Sequence, residues 1–84
     1  MELTKGLNKA ARGLLEWSIK AQAEASEISL DTLRSFESGR TKRLSRENEA
    51  AAIQCFEGNG LVFLPENGGG AGVRYASPKG EAND

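Results

Sequence analysis

Apolar residues recur at helical spacing over most of the first 57 positions, in four short blocks separated by polar breaks. Leu3, Leu7, Ala10 or Ala11, and Leu14 lie three or four residues apart, which aligns them on one stripe and predicts a first helix from about Lys5 to Leu15 with Thr4 as its N-cap. Trp17 then closes that helix against the core. Ser18 can accept from the orphan amides at a helix start, so a second helix is predicted from about Ile19 to Ser26, where alanines favour helix and close packing. Glu27 and Ile28 form a turn. Ser29 caps a third helix, about Leu30 to Ser38, with Leu33 and Phe36 on its buried side and Gly39 ending it as a left-handed residue. After a basic loop from Arg40 to Leu44, Ser45 caps a fourth helix to about Glu57, with Ala52, Ile53 and Phe56 inward.

Gly58, Asn59 and Gly60 stop that helix, and the pattern changes period. Leu61 to Leu64 is a short apolar run ended by Pro65, and a glycine-dense stretch from Asn67 to Gly72 precedes Val73, Arg74 and Tyr75. This reads as a small hairpin with a flexible connection. From Ser77 to Asp84 the chain is small and polar with nothing to bury, so a disordered tail is expected over 77–84. The expected fold is therefore mostly α, with four helices over residues 1–58 and a short β-strand or hairpin over 59–76.

With 84 residues the chain makes one small domain. Its single cysteine, Cys55, cannot form an internal disulfide, and there is no histidine to join it in a metal site or act as its base. Gly68, Gly69 and Gly70 are not followed by the Lys-Ser or Lys-Thr pair of a phosphate loop. These absences argue against an enzyme and against any cofactor, metal or small-molecule ligand. No apolar run approaches the ~20 residues that cross a bilayer, and Glu2 sits where a secretory signal would want positive charge, so a soluble, cytoplasmic protein is expected.

The net charge of −1 conceals an asymmetry. Up to Arg46 nine cations face six acids, whereas from Glu47 onward two cations face six acids. The N-terminal part is basic and the C-terminal part acidic, and the cations gather beside the third helix.

That placement matters because Ser18 and Ser29, two caps eleven residues apart, bracket a helix-turn-helix. In this motif the second of the two helices lies in the major groove and its N-terminal residues meet base edges, while the first crosses the phosphate backbone. The stretch SIKAQAEASEISLDTLRSFESGRTKR, Ser18 to Arg43, resembles the XRE family of phage-repressor and Cro-like regulators, whose core pattern is met by Ser18, Ala23, Ile28, Ser29, Leu33, Glu37 and Gly39. The likeness covers about residues 4 to 57. The run ESGRTKR, Glu37 to Arg43, is similar to the same loop in lambdoid repressors. GLVFLPENGGGAGVRY, Gly60 to Tyr75, resembles the ending of small single-domain members in proteobacteria and their mobile elements.

The resemblance implies a lambda-repressor-like DNA-binding domain in which Leu30, Asp31 and Ser35 face base edges, flanked by Thr32 and Arg34. Arg34 suits guanine O6 and N7, Leu30 a thymine methyl, and Asp31 only cytosine N4. Ser18, Lys20, Ser38, Arg40, Thr41, Lys42, Arg43 and Arg46, at helix starts or in the loop after the reading helix, are the candidate phosphate contacts. Arg12 and Glu37 match a pair that forms an internal salt bridge in related repressors. Three residues depart from the family pattern: Gln22 replaces a buried leucine, Ile19 a phosphate-binding glutamine, and Glu27 the turn glycine. A glutamate in a left-handed turn costs ~1 kcal/mol relative to glycine.

One such domain makes few base contacts, so a dimer on a palindromic operator is expected, with half-site centres about 34 Å apart. Leu61, Val62, Phe63 and Leu64, with the rest of the hairpin and part of the fourth helix, are the expected homodimer interface. The alternative is a hairpin that only covers its own core. The implied function is a transcriptional regulator of double-stranded DNA, a repressor by default, that blocks or contacts RNA polymerase. A second reading is a protein-interaction module of the antitoxin or antiactivator kind built on the same fold.

Overall fold

A computed structural model describes residues 1–78 of the chain. Four helices, α1 (Lys5–Leu15), α2 (Ile19–Ser26), α3 (Leu30–Ser38) and α4 (Arg46–Gly58), precede two strands, β1 (Leu61–Leu64) and β2 (Gly72–Tyr75). Of the tail expected over 77–84, residues 79–84 lie outside the described residues.

Each helix starts at the residue the sequence singles out. Thr4, Ser18, Ser29 and Ser45 have extended backbones, and their hydroxyls accept from the amides of Leu7, Ala21, Thr32 and Asn48. A single hydrogen bond from a short side chain thus sets the start of every helix. Gly39 ends α3 in the left-handed region at φ 88°. Glu27 ends α2 in the same region at φ 61°, as its place in the turn implies. Glu16 does so for α1 at φ 58°, which spacing did not reveal. There the Trp17 amide reaches back to the Arg12 carbonyl at 2.9 Å and the Glu16 amide to Gly13 at 3.2 Å, a Schellman closure that brings Trp17 down onto the core.

The core is a cluster of Leu3, Ala11, Ile28, Leu33, Phe36, Leu44, Ala52, Phe56, Leu61 and Phe63, drawn from every helix neighbourhood and from β1. Trp17, Phe56 and Phe63 form an aromatic chain through it, with ring centroids 5.9 and 6.1 Å apart, spacings at which tilted rings attract.

The strands pair antiparallel, with Leu61 opposite Tyr75, Val62 opposite Arg74, Phe63 opposite Val73 and Leu64 opposite Gly72. Because side chains alternate, Leu61 and Phe63 share one face with Tyr75 and Val73, and that face lies on the helices. The Tyr75 hydroxyl donates to the Leu14 carbonyl at 2.9 Å and pins β2 to the end of α1. Leu61 and Phe63 are 2% and 7% exposed. They therefore depart from their expected place in a dimer interface: they complete this chain's own core, and only Val62 and Leu64 of that run point outward.

Two acids and two amides are buried that the apolar pattern passes over. Glu49, in the first turns of α4, accepts from the Leu3 amide at 2.8 Å and ties the chain start to α4. Glu37, Asn8 and Gln22 meet where α1, α2 and α3 converge.

Candidate nucleic-acid interface

The orientation of α3 depends on that junction. Asn8 and Gln22, both fully buried, exchange a pair of amide hydrogen bonds: Asn8 Nδ2 donates to Gln22 Oε1 at 3.0 Å and Gln22 Nε2 to Asn8 Oδ1 at 2.8 Å. Asn8 Nδ2 also donates to Glu37 Oε2. Arg12 completes the network, with Nε donating to Glu37 Oε2 at 2.9 Å, Nη2 to Glu37 Oε1, and Nη1 to the Trp17 carbonyl at 3.0 Å. The salt bridge expected of Arg12 and Glu37 is formed, it is bidentate, and its network has two further members, Asn8 and Gln22. The hydrogen bonds to Glu37 hold the Arg12 guanidinium above its ordinary pKa, against a smaller opposing effect of burial.

Gln22 is thus not a misplaced polar residue in a leucine position. Its partner comes from α1, fourteen positions away, and each amide satisfies the other, so the desolvation of both is met. The cue in the sequence is that Asn8 falls on the same helical stripe as Ala11 and is the polar residue at a core position. Among the described residues no buried side-chain polar atom is left without a partner.

On its outer side α3 presents an open groove lined by Asp31, Arg34, Ser35, Ser38 and Arg40. Three of the five expected base-facing residues and two of the expected phosphate contacts therefore share one surface. Leu30 is half-buried. Thr32 is drawn back to the helix start, its Oγ1 accepting from Ser29 Oγ at 2.7 Å, so its hydroxyl is engaged in the cap.

The loop after α3 is fastened to the helix it follows. Ser38 Oγ donates to the Ser35 carbonyl at 3.1 Å, and the Thr41 amide donates to the same carbonyl at 3.0 Å. These bonds hold Arg40 beside the groove and keep Thr41 and Lys42 exposed next to it. Lys5, which the spacing did not single out, joins this region: a Cβ added at Gly39 would lie 2.9 Å from its Nζ. A cation there also complements the carbonyl end of α3. Ser18 sits at the start of α2 with its hydroxyl used in the cap, and Lys20 is exposed on the next turn.

Arg43 behaves differently from the other expected phosphate contacts. Its guanidinium lies 3.3 Å from Glu49 and 3.9 Å from Glu2, so part of its charge is spent holding Glu49 against the chain start. Among the described residues Lys20, Arg34, Arg40, Lys42 and Arg46 have no carboxylate within ion-pair distance. Of these, Arg34 and Arg40 line the same groove and Arg46 lines a different one; unpaired exposed cations are what displaces counterions from a polyanion.

Elsewhere the described residues hold no cluster of three or more potential metal ligands, and no helix among them is long and apolar enough to cross a membrane. Cys55 is half-buried on α4, and burial pushes its thiol above the ordinary range. Neither the family models nor the curated proteins compared with this chain give a match.

Proposed function

We propose that the protein is a sequence-specific, double-stranded DNA-binding transcriptional regulator that acts as a homodimer on a palindromic operator. The observation that carries this reading is the groove along α3, where Arg34 and Arg40 stand beside Ser35, Ser38 and Asp31 with no ion partner among the described residues. Arg34 offers a planar pair of donors for guanine O6 and N7. Asp31 can only accept, from an exocyclic amino group such as cytosine N4, and repels a misplaced phosphate, so it adds selectivity rather than affinity. Arg40, Thr41 and Lys42 hold the register through the phosphates, and the capped start of α2 adds a helix N-terminus.

The buried network serves this surface. Glu37 lies in the last turn of α3 and is gripped by Arg12 and Asn8 of α1, so the reading helix is fixed to the body of the domain at the end opposite its base contacts. Such a regulator in the cytoplasm, with dimer concentration setting occupancy, would block RNA polymerase at its operator or contact it there.

Selection of bound sequences from random duplex DNA, repeated over a salt series, tests the reading. A two-fold symmetric motif whose binding weakens steeply with salt is the expected result. Absence of any enriched sequence with folded protein would overturn it in favour of a protein-interaction module.

A further inference from the structure

A second groove runs along α4 and is lined by Met1, Arg46, Ala50, Ile53, Gln54 and Glu57, together with the internally bound Glu49. Arg46, Ala50, Ile53 and Glu57 are separated by four, three and four residues, which places them on one stripe of the helix. That spacing reads the same in both directions, and the charges at its ends are opposite.

We propose that this stripe is the homodimer interface, with α4 of a second copy lying antiparallel across it about a two-fold axis. In that register Arg46 meets Glu57 of the second copy and Ala50 meets Ile53 of the second copy, and symmetry makes each pair twice. The antiparallel arrangement also sets the amide end of each α4 against the carbonyl end of the other.

Three observations favour a second copy over another occupant. Neither Arg46 nor Glu57 has an ion-pair partner among the described residues, so both charges are available. Ala50 is exposed and small, which lets two helix backbones approach, while Ile53 is only half-buried rather than fully inward as its apolar spacing suggests. Met1, one of two large apolar side chains left exposed among the described residues, lies in the groove and also borders Pro65 and Glu66. The other, Leu64, immediately precedes Pro65, so the patch extends toward the outer end of β1. Under this assignment Arg46 serves the partner copy rather than a phosphate.

The interface gives the proposed regulator its two-fold axis, but its test needs no DNA. Sedimentation equilibrium of the full chain is expected to give a dimer. Arg46→Glu and Glu57→Lys are each expected to weaken association by about tenfold, since each puts two like-charge contacts into the dimer. Mixing the two variants in equal amounts restores association, because in the mixed dimer every reversed side chain meets its opposite; a misfolded chain would give no such rescue. A monomer at all concentrations, a dimer indifferent to both reversals, or variants that fail to rescue each other would overturn the interface. A monomer that still binds a single half-site would overturn the interface alone, and a dimer with this register that binds no DNA would overturn the regulator alone.

Discussion

At the scale of single residues, the buried side chains of Asn8 and Gln22 decide more than their polarity suggests. Replacing Gln22 with the leucine typical of the resembling family removes both partners of a buried amide and leaves Asn8 Oδ1 unsatisfied. Gln22→Leu is therefore expected to lower stability by about 1–3 kcal/mol in urea unfolding, even though it makes the core more apolar. Arg12→Met leaves Glu37 with Asn8 as its remaining side-chain donor. A loss of about 2 to 3 kcal/mol is expected, below the value for a fully buried pair because 20% of the Arg12 side chain meets water. The opposite sign is expected at Glu27. Its φ of 61° suits glycine, so Glu27→Gly should raise the urea midpoint by an amount corresponding to about 0.5–1 kcal/mol. The Arg12 and Glu37 pair and the strained Glu27 were legible in the chain because each occupies a motif position. The Asn8 partner of Gln22 was not, since periodicity identifies which positions face inward and does not say which two of them touch.

At the scale of elements, helix boundaries were legible because a hydroxyl at each start carries local information, whereas the orientation of β1 required its register. A four-residue apolar run gives no sign of which alternate pair turns inward; pairing with β2 settles it by placing Leu61 and Phe63 with Tyr75 and Val73. Under the proposed function α3 and the loop after it divide labour in a way that equilibrium binding can separate. Arg34→Ala is expected to cost about 1–3 kcal/mol and to relax preference at one base pair, measured against operator variants. Lys42→Ala is expected to weaken all sequences alike and to reduce the slope of log affinity against log salt by about one. An equal effect of both substitutions on every sequence would argue that Arg34, too, meets only the backbone.

At the scale of the whole molecule, the basic N-terminal part and the acidic C-terminal part meet in one body, and the charge separation has a direction. Under the proposed function the cations beside α3 would steer the domain toward a polyanion, while Glu47 and Glu66 disfavour approach by the C-terminal part. The longest-range side-chain hydrogen bond between the two parts runs from the Tyr75 hydroxyl to the Leu14 carbonyl, linking positions 61 residues apart, beside the shorter link from the Leu3 amide to Glu49. The contacts of α1, α2 and α3 are closer in sequence, so their loops close at lower entropic cost than the one that brings Tyr75 home. Because Phe63 packs on Phe56 and Phe56 on Trp17, a chain cut before Leu61 would offer chaperones and proteases an aromatic surface that the finished domain hides.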